Sequence, residues 1–327
     1  RRLFDLPRSS WADYDEKLIS RGGGVWPRAA KSIPVSAEAR AVLGLADDVT
    51  ALPPNELVSA ILRAPVDLLY NGGIGTYVKA SDETHAEVGD RANDALRIDA
   101  TELRCKVVAE GGNLGFTQRG RIEYARAGGR INTDAIDNSG GVDTSDHEVN
   151  IKILLDLPVA EGALTTKQRN EFLATMTDDV AALVLADNYE QTEILSVGRR
   201  LAPRLLDDEA RFMRFLEREG RLHRAIEFLP ADDVLAERAA SGEGLATPER
   251  AVLLAYAKLW LYDEILASQL PDDPWVAKAL VDYFPPALVE RYGAYLPRHP
   301  LRREIIANVV VNRTINRAGA TFVHRMR

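Results

Sequence analysis

Residues 106–127, KVVAEGGNLGFTQRGRIEYARA, give the clearest indication of the fold. The short apolar run at 106–109 is typical of a buried strand, and it stops at the glycine turn EGGN, residues 110–113. Residues 117–127 have helical spacing, although Gly120 weakens that helix. A strand, a glycine turn and a helix in this order are the building unit of a parallel α/β sheet.

The same pattern occurs on both sides of this stretch. Residues 66–70 predict a strand that ends at the turn NGGIG, 71–75, and residues 130–135 predict a third strand before the turn DNSGG, 137–141. The helical spacing of apolar residues predicts helices at 36–43, 54–62 and 82–96. The first half of the chain therefore indicates part of a Rossmann-like parallel sheet.

The second half, from about residue 160, is rich in Leu, Ala and Arg and poor in Gly. Its spacing and capping residues predict helices at 171–195, 250–270, 275–283 and 301–318. We expect an all-helical region in which Trp260 and Trp275 are buried, because tryptophan carries a large apolar area. The predicted fold class is α/β followed by an all-α domain.

Composition excludes several classes of protein. The net charge of the 327 residues is −8, which argues against a nucleic-acid partner and against binding to anionic membranes. The longest apolar runs, such as 180–186, are too short to span a bilayer. Cys105 is the only cysteine, and the N-terminal residues contain no apolar segment of the secretory type. We therefore expect a cytoplasmic protein with no membrane segment.

Three turns that each follow a predicted strand suggest where a ligand binds. Ligands of open parallel sheets bind at the carboxyl ends of the strands. Glycine there allows the backbone to approach a ligand, and asparagine offers both a donor and an acceptor. Three such turns favour a nucleotide site, although a complete G-x-G-x-x-G fingerprint is missing. The glycine-rich segment 20–28 is equally compatible with a flexible loop and with a loop that faces a cofactor.

Three segments resemble motifs of the amino-acid dehydrogenases, in the same order and spacing. They are DLLYNGGIGTYV at 67–78, KVVAEGGNLGFTQRG at 106–120 and INTDAIDNSGGVDTSDHEVNIKILL at 131–155. Together with residues 4–28, they are similar to the large bacterial NAD-specific glutamate dehydrogenases. The resemblance implies that residues 1–155 are the second, incomplete half of a dinucleotide-binding domain and that residues 156–327 are a C-terminal helical domain.

The resemblance also implies roles for five residues. Gly72 and Gly73 would lie against the cofactor NAD, Asn113 would bind its ribose on the nicotinamide side, and Asn138 would lie beside the nicotinamide and the substrate. Ser145 would bind the side-chain carboxylate of the substrate. Each has a plainer alternative: turn glycines for the first two, helix caps for the asparagines, and a surface hydroxyl for Ser145.

The catalytic lysine, the substrate-anchoring lysine and the catalytic aspartate of this family belong to an N-terminal domain and have no match here, so no catalytic residue is expected in this chain. Some residues depart from the motifs, among them Gly112, Leu114 and Ser139. Because the sequence starts abruptly at Arg1 and lacks the pyrophosphate-binding turn, we expect a fragment that is not active alone. No metal site is predicted, since neighbours in the acidic run 146–148 do not converge on a helix.

The function implied for the whole enzyme is oxidative deamination of L-glutamate to 2-oxoglutarate and ammonia with NAD, in a homo-oligomer. Two alternatives stay open. One is a non-catalytic helical interaction or regulatory module, and the other is a dehydrogenase for another amino acid. The Arg-rich stretches 198–204 and 211–224 are interleaved with acids, so they are solvated helix faces or an intersubunit surface.

Overall fold

The computed structural model of the chain describes residues 2–6 and 8–327; Arg1 and Pro7, the latter within the segment 4–28, lie outside the described residues. The residues form two compact units. Unit 1 comprises the chain up to residue 109 together with 114–130, and unit 2 comprises 110–113 and 131–327. The predicted order, α/β followed by helices, is confirmed. The placement of the domain boundary at residue 155 stays a prediction.

The strands of the described chain are short and form three two-stranded sheets: β1 Ile33–Pro34 with β2 Ala51–Leu52, β3 Leu68–Asn71 with β6 Val107–Glu110, and β4 Val78–Lys79 with β5 Ile98–Asp99. The first sheet is antiparallel and the β4–β5 sheet is parallel. The strands predicted at 66–70 and 106–109 are both present, each displaced by one or two residues.

Unit 1 also contains five α-helices: α1 Arg2–Asp5, α2 Ala37–Leu43, α3 Pro54–Leu62, α4 His85–Val88 and α5 Gln118–Arg126. Side-chain caps define where α2, α4 and α5 begin. The Ser36 hydroxyl accepts from the Ala39 amide at α2, and the Thr117 hydroxyl accepts from the Gly120 amide at α5. The predictions of helices at 36–43, 54–62 and 117–127 are therefore confirmed.

The helix predicted over 82–96 is wrong. Thr84 and Glu87 form a capping box that starts α4, but Gly89 ends the helix after one turn with a left-handed φ of 76°. A 3₁₀ turn at Arg91–Asn93 follows. The apolar spacing continues past Gly89, which is why the pattern alone suggested a longer helix.

The third strand, predicted over 130–135, is also wrong. Arg130 makes an isolated parallel bridge to Val107, and the chain then enters the short helix α6, Asp134–Asp137. The Asp134 carboxylate accepts from the Ala135 amide at the start of this helix, where a negative charge is favourable. The turn 137–141 therefore joins two helices and does not follow a strand.

Unit 2 consists of helices, and no strand occurs among its residues 131–327. Besides α6 they are α7 Ser139–Ala160, α8 Thr166–Ala174, α9 Thr177–Arg200, α10 Ala202–Arg218, α11 Asp232–Ser241, α12 Thr247–Ala267, α13 Ala277–Tyr283, α14 Pro286–Tyr292, α15 Arg302–Ala318 and α16 Phe322–Met326. This confirms the predicted helical region. No helix in the described part of the chain is long and apolar enough to cross a bilayer.

Two apolar clusters form the core of unit 2. The first joins α10, α12 and α15 around Phe212 and Trp260, and the second joins α7, α13, α14 and α15 around Leu154 and Leu288. The prediction that Trp260 is buried is confirmed, since 3% of it is exposed. The prediction for Trp275 is wrong: 90% of it is exposed, because it lies on a 3₁₀ turn, Pro274–Val276, ahead of α13.

Candidate functional site

The start of α7 in unit 2 brings two of the predicted residues together. Asn138 lies between α6 and α7, and its side-chain amide donates a hydrogen bond of 2.7 Å to the Oδ1 atom of Asn113. Asn113 is exposed and Asn138 is half-buried. The side chain of Asn138 does not cap α7, because it accepts no hydrogen bond from the first turn of the helix. Two side chains 25 residues apart in sequence thus form one polar surface.

A partly buried hydrogen-bond network supports this pair of asparagines. The Asp137 carboxylate accepts from the backbone amide of Glu110 at 3.0 Å and from the side-chain amide of Asn132 at 2.8 Å. Glu110 is fully buried. The network therefore connects residues 110–113 to the junction of α6 and α7, and this connection fixes the position of Asn113 relative to Asn138.

Helix α9 holds the same junction from its other side. The side-chain amide of Asn188 donates to the Ile136 carbonyl at 3.0 Å and to the Ser139 hydroxyl at 2.9 Å. Gly141 leaves room for the site, since a Cβ atom there would lie 3.2 Å from Oδ1 of Asn138. A larger residue at 141 would displace the asparagine side chain.

Ser145 lies on the exposed face of α7, two turns from its start. Its hydroxyl donates to the Val142 carbonyl at 3.0 Å, an intrahelical bond that a hydroxyl rotation can exchange for a ligand. Val142 and Val149 are 72% and 52% exposed and follow Asn138 at helical spacing on the same face. The face that carries Ser145 is thus open, whereas the opposite face of α7 is packed into the core.

Gly72 and Gly73 lie in unit 1, at the turn after β3. A Cβ atom at Gly73 would meet nothing within 4 Å, and one at Gly72 would meet only the ring of the exposed Tyr70, at 2.9 Å. Neither glycine has a left-handed φ, whereas Gly75 has a φ of 129° and its Cβ would lie 2.6 Å from the side chain of Asn93. The fold of the turn therefore requires glycine at 75 and not at 73.

Sequence reasoning missed a cluster on the inner side of α7. Asp143, His147 and Asp187 each offer a ligand atom, and these atoms lie within 4.8 Å of one another. Burial raises the pKa of Asp143 to about 7, helped by the neighbouring carboxylates of Asp187 and Asp146. Asp143 and His147 have the i, i+4 spacing of one helix face, which the sequence shows; Asp187 comes from α9, and only the fold brings it close.

Comparison with known proteins identifies the family. Residues 1–198 match the family described as bacterial NAD-glutamate dehydrogenase, catalytic domain, and residues 242–327 match glutamate dehydrogenase, C-terminal. The chain is 54% identical over 327 residues to an NAD-specific glutamate dehydrogenase of Pseudomonas aeruginosa. It is 53% and 51% identical to proteins of the same name from Halomonas elongata and Mycobacterium tuberculosis.

These matches cover the whole chain but only 20% of each relative, so the chain spans about a fifth of their length. The family model for the catalytic domain covers more than half of the chain and includes both the glycine turns and the start of α7. The chain therefore belongs to the family of bacterial NAD-glutamate dehydrogenases.

Proposed function

We propose that the full-length protein containing this chain oxidises L-glutamate with NAD to 2-oxoglutarate and ammonia, and that this chain supplies contacts to the cofactor and to one end of the substrate. The observation that carries the proposal is the contact between Asn113 and Asn138 at the exposed start of α7. The names of the three relatives, NAD-specific glutamate dehydrogenase, support the choice of cofactor and substrate.

The two asparagines have the chemistry that recognition of NAD needs. A side-chain amide has two donor protons and one acceptor oxygen, and the mutual bond uses one proton of Asn138 and the oxygen of Asn113. Asn138 keeps a donor and an acceptor for a carboxamide such as that of nicotinamide, and Asn113 keeps donors for ribose hydroxyls. Their mutual bond orients both amides before a ligand arrives, which lowers the entropy cost of binding.

The turn at 72–73 is proposed to contact the cofactor through its backbone. Open space beside Gly73 supports this role, because the fold would accept a larger side chain at this position. A ligand that packs against the backbone would explain why glycine occupies the position. When NAD is bound, it accepts the hydride; the proposed task of this chain is to hold cofactor and substrate in register.

Ser145 is proposed to donate to the side-chain carboxylate of glutamate. A hydroxyl can satisfy one oxygen of that carboxylate, whereas an apolar residue would leave the charge desolvated without a partner. This role separates the proposal from the alternative of a dehydrogenase for an apolar amino acid, which would have no use for a donor at this place.

The test is Ser145→Val in the full-length protein, with Thr144→Val as the matched control. A hydrogen bond to a charged group contributes about 1.5–3 kcal/mol, so kcat/KM for glutamate should fall roughly 10- to 150-fold. Activity toward leucine or norvaline should fall much less, or rise. Thr144 carries a hydroxyl that donates to the Gly140 carbonyl at 2.7 Å, and its removal should leave the kinetics unchanged.

Unchanged glutamate kinetics in Ser145→Val would show that Ser145 has no role in binding, and an equal loss in both variants would point to a general disturbance of α7. Absence of any glutamate oxidation by the wild-type full-length protein would favour a non-catalytic module. We also propose that the protein is a homo-oligomer, which light scattering tests. We propose a domain boundary at residue 155, which limited proteolysis tests.

A further inference from the structure

The cluster of Asp143, His147 and Asp187 has the composition and size of a metal site. Asp143 and His147 lie one turn apart on α7, and Asp187 approaches from α9. Their ligand atoms lie within 4.8 Å of one another. Atoms that bind one ion at about 2.0–2.2 Å are separated by up to roughly 4 Å, so a small adjustment of side-chain torsions would complete the site.

His147 gives further support, because its side chain is buried and turns one ring nitrogen toward Asp143. The residue is 2% exposed, and its Nδ1 atom bonds to no atom in the described part of the chain. Its Nε2 atom faces Oδ1 of Asp143 at 3.8 Å, too far for a hydrogen bond. Stacking on Tyr283, with ring centroids 4.3 Å apart, fixes the orientation of the ring. Nε2 is therefore the nitrogen placed to bind an ion shared with Asp143, and Nδ1 would then carry the proton of the neutral ring.

The two carboxylates of the cluster have no directly paired basic side chain in the described part of the chain. Among the residues that the structure describes, neither Asp143 nor Asp187 forms an ion pair with a lysine or an arginine within 4.0 Å. Lys258 acts on both carboxylates from a distance, but its ammonium group donates to Oε1 of Gln191 at 3.0 Å. Oδ2 of Asp143 is also buried without a partner. A cation between the two carboxylates would remove their repulsion and satisfy this oxygen.

The burial of the imidazole agrees with a site between the two helices. His147 is buried and lies one helical turn from Asp143 on α7, so its ring faces the helix interface and not the solvent. A cavity of about 360 Å³ has Asp146, Lys258 and Tyr283 in its wall, and Tyr283 is the residue that stacks on the His147 ring.

We propose that Asp143, His147 and Asp187 bind one divalent transition-metal ion, with Zn²⁺ as the preferred type. An imidazole with two carboxylates is a ligand set that suits zinc. The ion would fasten α7 to α9 within one turn of Ser139, the residue that Asn188 already holds. Its role is to position the start of α7. The binding itself does not depend on the proposed dehydrogenase activity.

The experiment measures Zn²⁺ binding to the full-length protein after treatment with a chelator and dialysis. Zn²⁺ alone is titrated by calorimetry, and bound metal is counted by mass spectrometry. We expect Asp187→Asn and His147→Gln to bind one ion fewer per chain than wild type, or to bind it at least about tenfold more weakly. The control is Glu148→Gln on the exposed side of α7, where Glu148 pairs with Lys152 at 2.5 Å; it should bind like wild type.

Zn²⁺ should also raise the melting temperature of wild type and of Glu148→Gln, but not that of Asp187→Asn. Equal numbers of bound ions in wild type and in both ligand variants would overturn the proposal. So would an equal loss in the control. If neither ligand variant folds, the melting temperature of the wild-type protein is the test. A melting temperature that Zn²⁺ leaves unchanged would contradict a metal site that joins two helices.

Discussion

Unit 1 and unit 2 are stabilised in different ways. The longest strands of unit 1 have four residues, and hydrogen-bonded caps and turns define its short helices. Unit 2 has two apolar clusters between long helices, of which α9 has 24 residues. A core substitution in unit 2 should therefore lower the free energy of unfolding. Unit 1, in contrast, contains positions such as Gly73 where the fold would accept a side chain, so that a need for glycine there would come from ligand binding.

The largest effect is expected in the core of unit 2. Trp260 is 3% exposed and packs edge-to-face on Phe212 and Phe215. Trp260→Ala in the 327-residue chain should lower the free energy of unfolding by about 4 kcal/mol, because it leaves a large cavity. Denaturant unfolding followed by circular dichroism measures this change.

Trp275→Ala is the matched control, since the same substitution at a 90% exposed side chain should change the free energy of unfolding by less than about 0.5 kcal/mol. Similar losses in the two variants would mean that the buried cluster around Trp260 does not stabilise unit 2 as its packing indicates.

A smaller effect is expected at a buried ion pair of unit 2. Arg238 donates to both carboxylate oxygens of Glu249 at 2.6 and 2.8 Å, and both side chains are nearly inaccessible. Glu249→Gln should cost about 3 kcal/mol, because it leaves a buried guanidinium without a counterion. Glu148→Gln, which breaks an exposed pair, should cost no more than about 1 kcal/mol in the same unfolding experiment. Equal costs would refute the distinction.

In unit 1, Gly75 should be the sensitive glycine of its turn. Gly75→Ala combines a φ of 129° with a Cβ contact of 2.6 Å to Asn93, so we expect a loss of about 1–3 kcal/mol. The same unfolding measurement tests it, and a neutral substitution would show that the turn relaxes freely.

The smallest change in stability is expected two residues earlier. Gly73→Ala should alter the free energy of unfolding of the chain by less than about 0.5 kcal/mol, since nothing lies within 4 Å of the added atom. In the full-length protein it should nevertheless weaken NAD binding, measured by fluorescence titration. NAD affinity that stays at the wild-type value would remove Gly73 from the proposed cofactor contacts.

The sequence predicted most of what local signals determine. The strands beside the turns 71–75 and 110–113 and the helices α12, α13 and α15 follow from apolar spacing, caps and glycine. The single helix predicted over 171–195 is wrong, because the chain breaks between α8 and α9. The prediction failed where a single residue ended a helix although the helical spacing of apolar residues continued, as at Gly89, which ends α4 after one turn. The exposure of Trp275 was also beyond reach, because burial depends on which neighbours the fold provides.

The candidate site shows the same limit. The turns that follow predicted strands pointed to Asn113 and Asn138, the resemblance suggested their individual roles, and the fold brings their side chains within 2.7 Å. The cluster that includes Asp187 could not be predicted, because Asp187 is 40 or more residues from its neighbours in the cluster and reaches them only when α9 packs on α7. Contacts between distant segments are the part of a site that periodicity and turn chemistry do not encode.

The most direct test of the central claim, that the start of α7 contacts the cofactor and the substrate, is Asn138→Ala in the full-length protein. Steady-state kinetics and the melting temperature are measured on the same sample. Loss of hydrogen bonds to ligand atoms should lower kcat/KM for glutamate with NAD at least about tenfold, while the melting temperature stays near that of wild type. Unchanged kinetics, or a loss of activity that merely follows a loss of folded protein, would contradict the claim.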